Sequence, residues 1–406
     1  MRINELFISR INWKRFAPAF IILLNTFVWY SLGYPMLSNT LDNLSVSGAE
    51  KLVLFAMYFI GVASSAILGA SFLRRKRETS LLFWMLAGVL MTLLAITIPY
   101  NTALTNSLIT FFLGASLGIG LPSCLAYFAD VVSIEIRGSC AGITWCIVGV
   151  FTLILALLVS SLDFSLSFMA LAIWRGLGVL FFFLGAKMAG KVQEAQNPVA
   201  YRSILRKRDV MLYLIPWITF SLVNFTETPM FETLFGSSYF LVNFVEFALI
   251  GCSALVGGIL ADVVGRKRVI ITGFVMLGIG YAVLSFSSGI LFSRYLYVLC
   301  DGIAGGMFFP LFLAALWGDL AQNSRKEKYY VVGGLPFLLA SFLEVIIKPY
   351  VEFMGLASAF SLASFFLFIA VLPLIYAPET LPEKRIREIE LKAYLEDAIK
   401  AKEKYT

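Results

Sequence analysis

Carboxyl side chains inside long apolar runs are the residues of this sequence best placed to do chemistry. An ionised side chain is costly in an apolar medium, so such a group is paired, protonated or in contact with water. It can therefore exchange a proton with the solvent or neutralise a cation. Five acids lie in such runs, all in the second half of the chain, and Glu232 is close enough to the outer end to be an interfacial acid. The other four, at comparable depths near the middle or in the outer half of the membrane, are Glu227, Glu246, Asp301 and Glu344.

Polar and aromatic residues share helix faces with two of these carboxyls. Residues spaced i, i+4, i+7 and i+11 in a helix point in one direction. The two faces are Phe220, Asn224, Glu227 and Phe231, and then Tyr239, Asn243 and Glu246. A mixed face of this kind is typical of a ligand cavity. The polar residues predicted to contact a substrate here are Asn224, Glu227, Asn243 and Asp301.

Arg175 is the one charged residue well inside the apolar runs of the first half. It could bind an anionic group or balance an acid of the second half, and we expect an ion pair within the chain. In the first run, Asn25 and Trp29 are one helical turn apart and Tyr30 is adjacent, so all three are candidate substrate contacts. Arg175 and the four carboxyls are together predicted to handle charge and protons.

The elements that hold these residues are predicted to be membrane-spanning helices. The chain is 60% hydrophobic and 14% charged, with a mean hydropathy of +0.86, whereas a soluble domain is about half apolar and a quarter charged. Twelve apolar runs, from one near 16–37 to one near 354–376, reach the roughly 18 residues needed to cross a bilayer. Strand-like alternation is absent, so helices must satisfy the backbone in lipid. The predicted fold is an all-α, multi-pass membrane protein.

The basic residues predict the orientation of these helices. All lysines and arginines fall at the amino terminus, in alternate loops or in the tail, except Lys51, Arg175, Arg294 and Lys348. The positive-inside rule then places both termini in the cytoplasm, with the chain in the plasma or inner membrane of the cell. The net charge of +7 reflects this topology and attraction to the lipid bilayer, so we expect no nucleic-acid partner.

Histidine and cysteine usage excludes many kinds of enzyme. The chain has no histidine, and its five cysteines have no CxxC spacing. Imidazole-based triads, HExxH metalloprotease sites and histidine proton relays are therefore excluded. Neither a zinc site nor a disulfide framework is indicated. We expect no enzymatic activity, no metal and no cofactor.

The second half of the chain repeats features of the first. Segment 302–310 matches segment 114–122 in the spacing of two glycines and a proline, and Arg325 matches Arg137. Two six-helix halves that start on the same side imply a parallel, pseudo-symmetric repeat about an axis normal to the membrane. The predicted organisation is a cytoplasmic segment at 1–15, helix bundles at 16–187 and 211–376, a cytoplasmic linker at 188–210 and a cytoplasmic tail at 377–406.

A short polar segment, 258–268, carries a recognisable pattern between two apolar runs. Its sequence, Gly-Ile-Leu-Ala-Asp-Val-Val-Gly-Arg-Lys-Arg, resembles the G-x-L-x-D-x-x-G-R-[RK] signature of the major facilitator superfamily of transporters. The first-half copy at 69–77 has leucine at the aspartate position and lacks the second glycine. The resemblance covers the whole chain and implies the twelve-helix fold of that family.

Two further segments resemble motifs of the same family. Segment 129–138 resembles its acidic-x6-Arg-Gly motif through Asp130 and Arg137, and segment 377–382 resembles the Pro-Glu-Thr tail of sugar porters and organic-ion transporters. The resemblance implies that Asp262 with Arg266, and Asp130 with Arg137, latch neighbouring helices in one conformation. The implied gating residues are Gly258, Asp262, Gly265, Arg266, Asp130 and Arg137.

The function implied by the resemblance is secondary active transport. We expect a monomer that moves a small organic solute, such as a sugar, an organic acid or an organic ion, by alternating access. The second-half carboxyls favour proton-coupled symport. One alternative is efflux of organic cations or drugs by proton antiport, although segment 142–149 lacks the Gly-Pro-rich motif of such antiporters. A non-transporting sensor with the same fold is the other alternative.

Overall fold

The apolar runs of this sequence form long helices because a backbone in lipid has no water to bond with. The computed structural model describes residues 11–42, 47–72, 77–97, 102–189, 197–353, 355–382 and 391. Within these ranges, twelve helices are long and apolar enough to cross a membrane. This confirms the predicted all-α, multi-pass membrane protein. The first ten residues, the basic residues 74–76 and most of the predicted tail lie outside the described ranges.

We number the membrane helices in chain order and treat an interrupted helix as one. They are α1 (Trp13–Asp42), α2 (Gly48–Phe72), α3 (Arg77–Thr97), α4 (Ala103–Gly118 and Leu121–Val131), α5 (Arg137–Ser160), α6 (Phe164–Ala189), α7 (Arg208–Phe235), α8 (Tyr239–Val263), α9 (Arg266–Ser287), α10 (Leu291–Phe308, Phe309–Ala315 and Leu316–Ala321), α11 (Glu327–Ala340 and Phe342–Ile347) and α12 (Leu356–Tyr376). A short helix, Tyr201–Leu205, lies in the predicted linker.

The helices pack as two similar bundles. In the first bundle α2 packs on α4, α1 on α6 and α3 on α6. The second bundle repeats these contacts with α8 on α10, α7 on α12 and α9 on α12. The halves meet through α5 against α8 and through α2 against α11. This arrangement confirms the pseudo-symmetric six-helix repeat, while the predicted end points of each bundle stay a prediction.

Large apolar side chains cover much of the outer surface. Phe286 is 90% exposed and Phe72 is 77% exposed, whereas Trp217 and Trp317 are fully buried. A soluble protein rarely exposes so much contiguous apolar surface. The distribution is that of helices whose outward faces contact lipid.

Two helices are interrupted next to a proline. The first part of α4 ends at Gly118, and the helix begins again at Leu121, just before Pro122. In α10, residues Phe309–Ala315 around Pro310 form a π-helix. Proline lacks the N–H needed for the regular helical ladder, and single π turns occur frequently at functional sites. The interruption in α10 lies between Asp301 and Asp319, whose contacts are described below.

Candidate functional site

Five side chains from four helices meet inside the second bundle. We call this group the carboxyl–tyrosine cluster, and its members are Glu227 of α7, Glu246 of α8, Tyr281 of α9, and Tyr297 and Asp301 of α10. The hydroxyl oxygen of Tyr297 lies 3.2 Å from Asp301 Oδ2 and 3.3 Å from the hydroxyl oxygen of Tyr281. Glu246 is within hydrogen-bonding reach of Asp301. The charge of Glu227 acts on the Tyr281 hydroxyl, and Phe231, one turn further along α7, has its ring centroid 6.1 Å from that of Tyr281.

Two carboxyls of this cluster are buried, and among the described residues none of the three has a basic partner. Glu227 is 4% exposed, Asp301 is 8% exposed and Glu246 is half-buried. None of the three forms an ion pair with any residue that the structure describes, and Glu227 Oε2 has no hydrogen-bond partner there. Burying an ionised carboxylate without a partner is costly. These surroundings therefore suit neutral, protonated carboxyl groups.

Aromatic packing holds the tyrosine hydroxyls in place. Tyr297 and Asp301 are one turn apart on α10, so their side chains lie on the same face. The ring of Phe231 stacks on Tyr297 with centroids 4.5 Å apart, and on Phe360 of α12 at 5.3 Å. Stacked rings of this kind are worth more than their buried area alone. The phenol of Tyr297 is thus fixed toward Asp301.

Within the described ranges, no group of three or more histidine, cysteine, aspartate or glutamate side chains is placed to hold a metal ion. The cluster thus presents its carboxyls to each other and to tyrosine hydroxyls. Its geometry suits exchange of protons.

A second concentration of charge lies at the predicted cytoplasmic end. The Asp262 carboxylate accepts hydrogen bonds from the backbone N–H groups of Gly138 (3.0 Å) and Ser139 (2.6 Å), at the start of α5. Its Oδ1 also lies 3.3 Å from Arg266. A helix N-terminus attracts a negative charge. Gly265 has a φ of +104°, which favours glycine and allows the tight turn before Arg266.

Arg137 binds a different acid from the one expected. It forms an ion pair with Asp319 of α10, and Asp319 also binds Arg266. The expected pair of Asp130 with Arg137 is therefore wrong for this structure. The reason is that α10 brings Asp319 against the start of α5, where each of its two carboxylate oxygens accepts a hydrogen bond from one buried arginine.

Asp130 takes part in a separate set of ion pairs. Its carboxylate lies 2.6 Å from Arg77 Nη1 and also binds Lys326. Arg77 in turn binds Glu327 at the start of α11. We call the whole set the gate network, and it consists of Arg77, Asp130, Arg137, Asp262, Arg266, Asp319, Lys326 and Glu327. The network joins the first bundle to the second at one end.

The Pro-Glu-Thr segment after α12 contacts the same region. Glu379 accepts hydrogen bonds from the backbone N–H groups of Arg266 (3.0 Å) and Lys267 (3.1 Å). The carbonyl oxygen of Pro378 accepts a hydrogen bond from the Tyr213 hydroxyl at 2.6 Å. Glu379 thus caps α9, whose first residues would otherwise have free N–H groups.

Arg175 lies fully buried inside the first bundle, and its described neighbours are neutral. Its guanidinium donates to Asn25 Oδ1 (3.1 Å) and Thr26 Oγ1 (2.9 Å). It also lies over the rings of Trp84 (4.6 Å to the centroid) and Trp29 (5.4 Å). The expected ion pair is not formed with any described acid. Side-chain dipoles and aromatic faces take its place.

The three predicted substrate contacts of α1 have different positions. Asn25 Nδ2 donates to the Trp174 carbonyl at 2.7 Å, and Trp29 Nε1 donates to Thr92 Oγ1 at 3.1 Å. Both side chains are buried, so in this structure they hold α1 against α6 and α3. Tyr30 is half-buried beside Ser341 and Glu344 of α11. Of the three, Tyr30 is therefore the one that faces the other half.

The remaining predicted residues are partly exposed to solvent. Asn224, Asn243 and Glu344 are half-buried, on α7, α8 and α11. Lys348, one turn beyond Glu344, forms a 2.9 Å ion pair with Glu232 of α7. The structure leaves the proposed substrate contacts of these residues as predictions.

Aromatic rings cross the interface between the two halves. Trp145 of α5 lies 4.7 Å from Phe27 of α1 and 5.4 Å from Phe309 of α10, measured between ring centroids. Phe309 also lies 5.5 Å from Phe337 of α11. These rings link α1 and α5 of the first bundle to α10 and α11 of the second. They give the interface an apolar, polarizable surface.

Several residues of the carboxyl–tyrosine cluster and of the gate network were not identified from the sequence. The Tyr297 and Asp301 spacing of one helical turn was a usable signal for the cluster. No local signal pairs Arg137 with Asp319 or Arg77 with Glu327, because these partners are 182 and 250 residues apart. Only the packing of the two bundles brings them together.

This chain resembles known proteins in its structure and not detectably in its sequence. No protein-family model matches the sequence, and no curated protein matches it. The proton:xylose symporter XylE, solved with bound 6-bromo-6-deoxy-D-glucose, is similar with a TM-score of 0.67 and 15% identity, over 93% of this chain and 97% of that one. The human organic anion transporter MFSD10 is similar with a TM-score of 0.64 and 13% identity, over 92% of this chain and 100% of that one. The two bundles of six helices, the ion pairs that join them and these similarities together establish that this chain has the fold of major facilitator superfamily transporters.

Proposed function

We propose that this protein is a secondary transporter that couples the movement of a small organic solute to protons. The observation that carries the proposal is the carboxyl–tyrosine cluster, in which three carboxyls lie together without a basic partner among the described residues. Intramembrane acids of this kind mark proton or substrate pathways. The similarity to a proton:xylose symporter supports the same reading.

The gate network supports an alternating-access mechanism. Its ion pairs connect the two halves at the predicted cytoplasmic end, so in this arrangement that end is closed. Opening it requires that Asp319 and Arg137, and Glu327 and Arg77, separate. A solute site between the halves would then face one side of the membrane at a time.

Proton coupling can be tested in proteoliposomes that contain the pH-sensitive dye pyranine. Addition of sugars, organic acids and organic cations, one at a time, should give a dye response with at least one of them in the wild type. Asp301→Asn should abolish this response, because it removes the acid at the centre of the cluster. A protonophore should collapse accumulation of the same solute. Solute uptake that is unchanged by both the Asp301→Asn substitution and the protonophore would contradict proton coupling.

A second candidate is antiport of an organic cation with protons. Trp145, Phe27 and Phe309 place aromatic faces at the interface of the halves, and Tyr30 lies beside Glu344 nearby. Aromatic rings with an acid are a common recognition surface for organic cations. The direction of proton flow separates the candidates: symport moves protons with the solute, and antiport moves them against it.

A further inference from the structure

Two tyrosine hydroxyls bridge the space between the acids of the second bundle. Tyr281 and Tyr297 have hydroxyl oxygens 3.3 Å apart, and Tyr297 lies 3.2 Å from Asp301 Oδ2. The Tyr297 hydroxyl is the donor in both contacts, and because one hydroxyl carries one hydrogen it donates to Tyr281 or to Asp301 in turn. When it donates to Asp301, its oxygen can accept a hydrogen bond from Tyr281. Tyr281 and Tyr297 are 2% and 3% exposed. The hydroxyls thus form an ordered, dry chain that ends at a carboxylate.

Each end of this chain meets another carboxyl group. At one end Asp301 is within hydrogen-bonding reach of Glu246. At the other end Glu227 lies one helical turn before Phe231, whose ring centroid is 6.1 Å from that of Tyr281, and the Glu227 charge acts on the Tyr281 hydroxyl. Glu227 Oε2 has no partner among the described residues and almost no contact with solvent. The carboxyls are therefore connected through hydroxyls.

We infer that Tyr281 and Tyr297 form a hydroxyl relay that carries a proton between Glu227 and the Glu246–Asp301 pair. This inference rests on the proposed proton coupling and deepens it by assigning the two tyrosine hydroxyls as proton carriers. It makes the three carboxyls one titrating unit. Interacting acids of this kind gain and lose protons as a group rather than singly.

The transfer conserves protons and needs no other reactant. The O–H bond of neutral Glu227 breaks as its proton passes to the Tyr281 oxygen, and the Tyr281 proton passes to the Tyr297 oxygen. The Tyr297 proton then forms a new O–H bond on the Asp301 carboxylate. Both tyrosines end neutral, Glu227 ends ionised and Asp301 ends protonated. The reverse sequence restores the starting state.

The groups that face the relay come from every helix packed against it. Glu227 faces it from α7, Glu246 from α8 and Tyr281 from α9, and Cys300 lies beside Asp301 on α10. From α12 the neighbour is the uncharged ring of Phe360, which lies 6.1 Å from Tyr281. No described lysine or arginine forms an ion pair with these acids. The relay therefore connects acids alone.

The test measures proton occupancy directly and does not depend on a known solute. Infrared difference spectra of the reconstituted protein report the C=O band of protonated carboxyls as a function of pH, and Glu227→Gln assigns the Glu227 band. Tyr297→Phe keeps the ring that stacks on Phe231 but deletes the hydroxyl. The matched control is Tyr295→Phe, because Tyr295 is on the same helix and is 56% exposed.

The relay predicts that Tyr297→Phe moves the titration midpoint of the Glu227 band by about one pH unit or more, the size expected when coupled acids are disconnected. Asp301→Asn should also move it, and Tyr295→Phe should leave it unchanged. Tyr281→Phe serves as the second test if Tyr297→Phe does not fold. An unchanged Glu227 midpoint in a folded Tyr281→Phe or Tyr297→Phe variant overturns the relay. Failure of proton coupling would instead appear in the pyranine assay, where no solute would give a response.

Discussion

Arg175 shows how a single charge is accommodated in an apolar bundle. Its guanidinium has two neutral oxygen acceptors and two tryptophan faces, while Nε and Nη2 have no partner among the described residues. Gly88 leaves it room, because a Cβ at that position would lie 2.8 Å from Arg175 Nε. The side chain fills volume at the junction of α1, α3 and α6. Its charge is only partly compensated there.

This environment predicts that the volume of Arg175 matters more than its charge. Replacing a buried ionic group by an apolar one of similar size is often neutral or stabilising. Arg175→Met should therefore unfold at or above the wild-type temperature in detergent. Arg175→Ala should be less stable than Arg175→Met by about 2–5 kcal/mol, as for other buried truncations to alanine. An equal loss of stability in Arg175→Met and Arg175→Ala would show that the charge itself stabilises the bundle.

The α5–α8 pair is the element that most closely joins the two halves. A Cβ at Gly258 would lie 2.9 Å from the Gly142 Cα and 3.0 Å from the Gly138 carbonyl carbon. Small residues allow helix backbones to approach this closely in lipid. Asp262, one turn after Gly258, then reaches the N–H groups at the start of α5. The glycine of the sequence motif and its aspartate thus serve one contact.

Gly258→Ala is predicted to loosen this helix pair. The new methyl group would force α5 and α8 apart and lengthen the bonds to Asp262. The matched control is Gly176→Ala, because a Cβ at Gly176 would meet nothing within 4 Å. In the control, alanine should raise stability slightly, by about 0.5–1 kcal/mol. Thermal unfolding of both variants in detergent measures the difference, and equal midpoints would argue against the close contact.

Helix α10 links the two charged regions. Asp301 belongs to the carboxyl–tyrosine cluster, and Asp319 belongs to the gate network. The π-helix Phe309–Ala315 lies between them. Single π turns of this kind occur frequently at functional sites. One helix thus carries an acid of each charged region, with its irregular turn between them.

At the scale of the whole molecule, the gate network contains bonds within one half and bonds between halves. Arg77 and Asp130 both belong to the first half, whereas Lys326 and Glu327 belong to the second. Removing Lys326 and Glu327 together leaves Arg77 paired with Asp130 and leaves the net charge unchanged. Such a double variant weakens the connection between halves without creating a buried, unpaired charge.

The Lys326→Gln/Glu327→Gln variant should open the predicted cytoplasmic end more often. Spin labels at the exposed positions Ser133 and Asn323, in a chain without its native cysteines, report the distance between halves by pulsed electron resonance. We expect a second, longer distance to become populated in the variant. Labels at Ser133 and Thr79, both in the first half, provide the control. An unchanged distribution of Ser133–Asn323 distances would show that the remaining bonds of Asp319 are enough to keep the predicted cytoplasmic end closed.

The sequence predicted much of the fold and part of the site. Each membrane helix was visible because apolar length is a local property that about 20 residues can display. Glu227, Glu246 and Asp301 were recognised because a charge in an apolar run stands out. Their tyrosine partners were missed, since tyrosine is common in such helices and a hydrogen bond between Tyr281 and Tyr297 depends on how α9 meets α10.

By itself, then, the sequence determined the membrane class, the twelve helices, the repeat and the segment 258–268 that resembles a known motif. Only the tertiary structure decided which charges meet. In the folded chain Arg137 forms an ion pair with Asp319, Asp130 forms one with Arg77, and Arg175 is surrounded by neutral groups. The physical reason is range: helix formation in lipid is set by neighbours along the chain, whereas an ion pair is set by packing between helices that are distant in sequence.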